Sequence, residues 1–238
     1  MEFKAQKKKT LPLILLLDIS GSMRNCIDEL NRATKEMVEE LTKQESLKAE
    51  INLCIVTFGG NSAILHQSLV PVAQVQLEEF QASGMTPLGG ALRIAKDIVE
   101  DRNQIPSDSY RPMVVLMSDG GPNDFGWEEA LRTFIEDGRS KKCERLALGI
   151  GNEYDEEVLK QFSSEGKTYE AKDAKDLVEF FHFVTMTIKE KSISSNPSKT
   201  PENSLLKSLL KESEKGKGEK LVKDDLDDDD LKELMKFL

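Results

Sequence analysis

The chain has 238 residues, of which 38% are hydrophobic and 32% charged, and its formal net charge at pH 7 is −10. This length allows one α/β domain of about 180 residues with an appended segment. The acidic balance excludes wrapping of nucleic acid, because neutralising phosphates requires a clustered excess of lysine and arginine.

The first predicted element is a buried strand near the start of the chain. A short basic segment, Lys4 to Lys9, precedes an unbroken apolar run over residues 11–17. About eight apolar residues are too few to span a membrane, and no cleavage site of a signal peptide follows them. We therefore expect a cytoplasmic protein with no membrane span.

A polar turn follows this strand. It reads Asp18-Ile-Ser-Gly-Ser22, so that a carboxylate and two hydroxyls occupy alternate positions. Oxygen is the ligand atom that Mg²⁺ and Mn²⁺ prefer, so the turn predicts binding of a hard cation. Alternatively, Asp18 or Ser20 caps the start of a helix by accepting hydrogen bonds from backbone N–H groups.

A helix and two strands come next. Apolar residues between Ile27 and Leu41 recur every three or four positions, which predicts a helix of about five turns that begins near Arg24. Residues 51–58 and 63–70 have the composition of strands and flank a glycine-asparagine hairpin signal. We expect the second of them to be an antiparallel edge strand.

Helices and strands alternate through the remaining part of the domain. Helices are predicted at 88–102, 125–137, 154–163 and 173–190, and strands at 112–118, 145–150 and 167–171. Such alternation indicates a doubly wound, mostly parallel α/β sheet with right-handed crossovers and one antiparallel edge strand.

Two later turns carry further oxygen-bearing side chains. Thr86 lies in the glycine-rich turn 84–90, and Asp119 directly follows the buried strand at 112–118. The carboxyl ends of parallel strands share one rim of the sheet, where ligands collect, so Asp119 should lie near Asp18. The predicted metal ligands are Asp18, Ser20, Ser22, Thr86 and Asp119.

The order and spacing of these three turns resemble the metal-ion-dependent adhesion site (MIDAS) of the von Willebrand factor A (VWA) domain, over roughly residues 10–190. The resemblance implies a complete site, in which Ser20, Ser22 and Thr86 offer hydroxyls while Asp18 and Asp119 bind directly or through water. It also implies a bound Mg²⁺, Mn²⁺ or Ca²⁺ and a role in metal-mediated protein binding. The sequence around Asp18 is similar to that of bacterial tellurium-resistance VWA proteins, which are linked to stress and phage-defence operons.

The predicted donor set favours binding over catalysis. At most five protein oxygens leave at least one of the six positions of Mg²⁺ open, and we expect a partner protein to fill it with an Asp or Glu. The alternative is a Mg²⁺-dependent phosphoryl-transfer or hydrolytic enzyme that uses the same metal. Asp18 resembles an aspartyl nucleophile, but Ser20 stands where dehalogenase-type phosphatases carry a second carboxylate. No nucleophile elbow or phosphate-binding loop is present, and we predict no catalytic residues.

Three side chains near the predicted site have alternative interpretations. Phe125 and Trp127 follow the Asp119 turn and could act as anchors for a partner, whereas Trp127 is equally consistent with packing inward on its helix. Cys26 lacks a neighbouring histidine that could activate it as a nucleophile. The three cysteines form no close pair, so we expect reduced thiols.

The composition divides the chain into three parts. We predict a VWA domain at 1–191, a flexible linker rich in Pro, Ser and Asn at 192–203, and a low-complexity tail with short amphipathic helices at 204–238. The tail is expected to order only when docked, on a partner or on the domain itself. Its acidic run, Asp224 to Asp230, lacks the glycine and final glutamate of an EF-hand, so we interpret it as a helix cap rather than as a second metal site. The sharper alternative is that one tail Asp binds the metal.

Overall fold

A six-stranded sheet forms the centre of the fold in the computed structural model, which describes residues 8–43 and 49–193. The strands are β1 (Thr10–Asp18), β2 (Glu50–Gly59), β3 (Ser62–Pro71), β4 (Met113–Ser118), β5 (Glu144–Ile150) and β6 (Tyr169–Ala171). The helices are α1 (Ile27–Thr42), α2 (Leu88–Glu100), α3 (Trp127–Glu136), α4 (Glu156–Phe162) and α5 (Ala174–Ile193). Short 3-10 helices lie at Gly21–Asn25, Val72–Gln74 and Ser140–Lys142.

The strand order is β3-β2-β1-β4-β5-β6, and every neighbouring pair is parallel except β2 with β3. This confirms the predicted mostly parallel sheet with one antiparallel edge strand. The chain builds outward from β1 first towards β3 and later towards β6, so the order reverses between β1 and β4. In open α/β sheets, ligands bind beyond the carboxyl ends of the strands at such a reversal.

The β1 strand is buried on both faces, which explains its continuous apolar run. Ile14 and Leu16 point to one side and pack in a core with β2, β4 and the helices α2, α3 and α4. Leu13 and Leu15 alternate with them and are equally buried, on the side covered by α1 and α5. The strand therefore holds its last residue, Asp18, at a fixed place on the rim.

The helices pack with their apolar faces in the core, as the apolar repeat predicts for α1. Phe180, Phe181 and Val184 of α5 are buried and belong to the core. Cys54 is also buried, and all three cysteines are free thiols. Among the described residues, no helix combines the length and apolar character needed to cross a membrane.

Most predicted helix ends lie within two residues of the observed ones, and two lie further away. The first helix was expected to begin near Arg24, but Gly21–Asn25 forms a 3-10 helix and α1 starts at Ile27. The apolar repeat does not distinguish a 3-10 start from an α-helical one, because both bury the same few side chains over one turn. The last helix, α5, runs to Ile193 and includes the first two residues of the predicted linker. The remainder of that linker and the predicted tail lie outside the described residues.

Candidate metal centre

Asp18 is the first element of the centre and lies fully buried at the end of β1. Its Oδ1 accepts a hydrogen bond from the backbone N–H of Ser20 at 2.8 Å. Its Oδ2 accepts one from the Ser118 hydroxyl, at the end of the neighbouring strand β4, at 2.5 Å. Both carboxylate oxygens are therefore fixed by groups from two adjacent strand ends.

A chain of hydroxyls leads from this buried carboxylate to the second one. Ser20 Oγ and Ser22 Oγ are 3.0 Å apart, and the Ser22 hydroxyl donates to Asp119 Oδ1 at 2.8 Å. Ser20 is buried, whereas Ser22 is exposed. Four of the five predicted ligands are thus linked through hydrogen bonds within one small region of the rim.

Thr86 reaches the same rim through its backbone. Its turn docks on the Asp18 turn, since Gly21 N donates to Gly84 O at 3.1 Å and Ser83 N donates to Ile19 O at 2.8 Å. Gly84 has φ +66°, and a Cβ there would lie 2.5 Å from the backbone of Gly60, so only glycine fits this close approach. Thr86 is buried, and within the described residues only its main-chain atoms take part in hydrogen bonds.

Asn123 joins the Thr86 turn to the loop that follows Asp119. Thr86 N donates to Asn123 Oδ1 at 2.8 Å, and Asn123 N donates back to Thr86 O at 3.2 Å. The side-chain amide of Asn123 thus completes a pair of hydrogen bonds like those between two strands, which we call the Thr86–Asn123 clamp. The clamp places Thr86 beside the loop that carries Asp119.

Asp124 anchors the same loop to α2. Its two carboxylate oxygens accept from Gly89 N and Gly90 N, each at 3.0 Å, so a residue from another loop caps the N-terminus of this helix. A Cβ at Gly89 would lie 2.7 Å from Trp127 Cα, which explains the glycine at this helix start. We did not identify Ser118, Asn123 or Asp124 from the sequence.

A weak sequence signal was present for these three residues. Ser118 is the one hydroxyl in the otherwise apolar strand β4, and a buried hydroxyl needs a partner. Asn123 and Asp124 are typical turn and cap residues, but local rules assign such a cap to the helix that follows, α3, rather than to α2.

Both carboxyl groups of the centre have raised pKa values. The pKa of Asp18 is raised to about 6, mainly by burial and to a small extent by the charge of Asp119, against hydrogen bonds from Ser118 and Ser20 that lower it. Burial also raises the pKa of Asp119, with a smaller contribution from Glu153. A cation between them would offset both effects, because it favours the ionised carboxylates.

The chemistry of the donor set fits a hard divalent cation. Two carboxylates and three hydroxyls provide only oxygen, which suits Mg²⁺, Mn²⁺ or Ca²⁺ better than metals that seek nitrogen or sulfur. Among the described residues, no three His, Cys, Asp or Glu side chains form a group that could hold a metal. The ligands would therefore have to include the hydroxyls.

The structure distinguishes between the alternative interpretations of Trp127, Phe125 and Cys26. Trp127 is half-buried and packs against the core, whereas the Phe125 side chain is completely exposed. Burial raises the pKa of the Cys26 thiol to about 11, with further contributions from Asp119 and Glu29, so the reactive thiolate is disfavoured there.

Comparison with known proteins agrees with this fold. The family model of the von Willebrand factor type A domain matches residues 13–182. The chain therefore belongs to the VWA family, whose members are generally metal-dependent protein-interaction modules and mostly not enzymes. No curated protein matches the sequence significantly.

Solved structures with the same fold are distant in sequence. Proximal thread matrix protein 1 from the mussel byssus is 17% identical with a TM-score of 0.59, and the match covers 74% of this chain and 47% of that one. Another structure of that protein, with a zinc-occupied MIDAS motif, is 16% identical with a TM-score of 0.57, over 74% and 47% of the two chains. A VWA protein from Catenulispora acidiphila is 18% identical with a TM-score of 0.58, over 75% and 42%. The matches thus span less than half of each of these structures, and they establish the fold alone.

Proposed function

We propose that this VWA domain holds a divalent cation, Mg²⁺ in the first place, in a complete MIDAS and uses it to bind a carboxylate of a protein partner. The ligands would be Asp18, Ser20, Ser22, Thr86 and Asp119. The observation that carries the proposal is the hydrogen-bonded series from Asp18 through Ser20 and Ser22 to Asp119. It gathers oxygen donors from separate strand ends at the reversal of strand order.

Charge supports a cation at this place. Asp119 is close enough for its charge to contribute to the raised pKa of Asp18, and Asp18 is fully buried. An ionised carboxylate in such surroundings is costly unless a positive charge accompanies it. When bound, the cation would supply that charge and a Lewis-acidic position, while the surrounding hydroxyls orient the carboxylates.

The donor set also supports a partner carboxylate. Five side chains leave at least one of six octahedral positions for an external oxygen, and an Asp or Glu brings an oxygen together with a balancing charge. We propose Asp or Glu of a protein rather than a small anion because VWA domains are generally protein-interaction modules.

The cellular setting rests on sequence resemblance alone. The run Leu15 to Arg24, with its Asp-Ile-Ser-Gly-Ser turn, motivates a role in a bacterial tellurium-resistance, stress or phage-defence system in the cytoplasm. The division into a domain at 1–191, a linker at 192–203 and a tail at 204–238 is proposed on composition. We propose that the tail docks on the partner or on the domain.

The experiment that tests this function is affinity capture with the full chain from the native host, in millimolar Mg²⁺ and in chelator. A partner retained with Mg²⁺, released by chelator and lost with Asp119→Ala is the expected result. Equal capture under all three conditions would refute metal-mediated binding. The variant must give the circular dichroism spectrum of the unaltered protein, so that a folding defect is excluded.

A turnover assay addresses the alternative of a metal-dependent enzyme. Catalysis by Asp18 as nucleophile requires an accessible carboxylate oxygen, yet this side chain is fully buried and both of its oxygens accept hydrogen bonds. We expect no turnover of phosphodonor substrates with Mg²⁺. Sustained turnover that disappears in Thr86→Ala would support the enzyme instead.

A further inference from the structure

Most of the large exposed apolar side chains among the described residues lie in two loops of the candidate metal centre or near the hairpin between β2 and β3. Five are exposed among the described residues, namely Ile64, Leu65, Met85, Phe125 and Ile193. Met85 directly precedes Thr86, and Ile64 and Leu65 lie near the start of β3, beside the hairpin that Met85 N contacts through Gly60 O. Ile193, at the end of α5 near Lys191 and its partner Glu144 at the start of β5, lies towards the amino ends of the strands, away from the rim.

Phe125 is the most exposed of these side chains, and its loop is firmly held. The Arg93 guanidinium donates to Phe125 O at 3.2 Å and to Gly126 O at 2.9 Å. The two residues before it, Asn123 and Asp124, are bonded to the Thr86 turn and to the N-terminus of α2. A large aromatic side chain on a fixed backbone loses little conformational freedom on binding, which is typical of an interface anchor.

The charges near the centre favour approach of a carboxylate along the Phe125 loop over approach from α4. Glu153 is exposed and lies in the loop between α4 and β5, the strand next to β4. Arg93 of α2 is about half exposed, with its side chain at 51%, and lies 3.8 Å from Asp124, so this pair has no net charge. A partner carboxylate is therefore repelled near Glu153 and is not repelled by the Arg93–Asp124 pair beside Phe125.

We propose that Phe125 and Met85 form an apolar subsite beside the metal, which binds a large apolar side chain of the partner. The partner is then a protein segment in which an Asp or Glu has a large apolar residue next to it or a few positions away. Met85 directly precedes Thr86, and Phe125 lies two residues after Asn123. The Thr86–Asn123 clamp therefore holds the subsite and the metal in one rigid arrangement. This inference rests on the proposed function, since the partner's acidic residue must be bound by the metal.

A displayed library of short peptides, with one fixed aspartate and random flanking positions, tests this subsite directly. The full chain is immobilised, binding is carried out in millimolar Mg²⁺, and bound peptides are eluted with chelator and sequenced. We expect the eluted peptides to be enriched in Leu, Ile, Met or aromatic residues close to the fixed aspartate. The same selection with Phe125→Ala should keep elution by chelator and lose the apolar enrichment.

Affinity for one enriched peptide gives the quantitative result. Phe125→Ala should weaken Mg²⁺-dependent binding about tenfold or more, because truncating an aromatic anchor removes most of its contact. The matched control, Ile193→Ala, removes an exposed aliphatic side chain at the end of the domain away from the rim and should leave the affinity unchanged. Both positions are exposed, so thermal unfolding of either variant should match that of the unaltered protein.

The outcomes separate this inference from the proposed function. Peptides eluted by chelator without apolar enrichment, or unchanged affinity in Phe125→Ala, would overturn the subsite while leaving the metal-mediated function intact. If no peptide elutes with chelator from the unaltered protein, the proposed function and the subsite both fail. Enrichment that persists in Phe125→Ala but disappears in Ile193→Ala would place the apolar contact elsewhere and also overturn the subsite.

Discussion

The two loops that carry the carboxylates of the candidate centre are built in opposite ways. The loop at 18–22 continues from the central strand, and both Asp18 and Ser20 are buried. The loop at 119–126 has no buried residue and is attached to the rest of the protein through side chains, chiefly Asn123 and Asp124. The first loop therefore belongs to the core, while the second is fastened onto it.

Together, the two loops give one rim both a rigid site and an accessible surface. Backbone burial fixes Asp18 without using any surface that a partner could contact. Side-chain anchoring fixes Asp119 and Phe125 while their loop stays open to solvent. Changes in the first loop should therefore alter stability and metal binding together, whereas changes in the second should alter affinity with smaller costs in stability.

The largest effect is expected from Gly84→Ala, which disturbs the backbone contact under the first loop. A Cβ there would lie 2.5 Å from Gly60, and the residue has φ +66°. We expect a loss of about 3 kcal/mol or more in unfolding free energy, measured by urea denaturation. Gly151→Ala is the matched control, because it has φ +73° and no atom within 4 Å of an added Cβ. Its loss should be only about 1 kcal/mol, and an equal loss in both variants would contradict the close contact.

Asp18→Ala should abolish stabilisation of the domain by Mg²⁺. At a Mg²⁺ concentration about a hundred times its Kd, binding adds about 2.7 kcal/mol to the native state, which corresponds to roughly 5–10 °C in Tm for a domain of this size. We expect this rise in the unaltered protein and none in Asp18→Ala or Asp119→Ala. Thermal unfolding with and without Mg²⁺ gives the measurement. A rise that survives in both variants would exclude these carboxylates as ligands.

Asp124→Ala should loosen the second loop without unfolding the domain. The change removes an acceptor for two backbone N–H groups of α2 and should cost about 1–2 kcal/mol. We also expect a several-fold weaker affinity for Mg²⁺ by calorimetric titration, because the Asp119 loop loses an anchor. Asp173→Ala removes a comparable cap from α5, where it accepts from Lys175 N and Asp176 N. If both variants weaken the affinity equally, the effect reflects stability and not the anchoring of this loop.

A further expected effect concerns pH in the absence of metal. The pKa of Asp18 is raised to about 6 in the folded domain, mainly by burial, while an unfolded chain returns it to its ordinary value near 4. Between these two values the folded site holds a proton that the unfolded chain has lost, so metal-free stability should fall as pH rises from about 4 to about 6 and level off above about 7. Urea denaturation in chelator measures this slope. Asp18→Asn should flatten it, and an unchanged slope would exclude Asp18 as its source.

Much of the fold could be predicted from the sequence because its patterns are local. A strand buried on both faces gives an unbroken apolar run, as in β1, and the hairpin between β2 and β3 carries its own glycine-asparagine signal. The ends of β1 and β4 then follow from where apolar residues give way to polar ones. Since parallel strands share one rim, the proximity of the Asp18 and Asp119 loops also followed.

The contacts that assemble the rim could not be predicted, because their partners are far apart along the chain. Ser118 bonds to Asp18 from 100 positions away, and Asn123 and Asp124 bond to the Thr86 turn and α2 from 34 to 37 positions away. A local pattern shows only that such residues favour turns and caps. Which helix or turn receives them depends on tertiary packing.

The most direct test of the metal centre is a crystal structure of the protein soaked in Mn²⁺, with an anomalous difference map. We predict one strong peak between the two carboxylate loops, with oxygens of the Asp18, Ser20, Ser22, Thr86 and Asp119 side chains around it, directly at about 2.1 Å or through water. At least one coordination position should hold an exchangeable water or an outside carboxylate. A map without a peak on this rim, or a cation enclosed by six protein oxygens, would contradict the account.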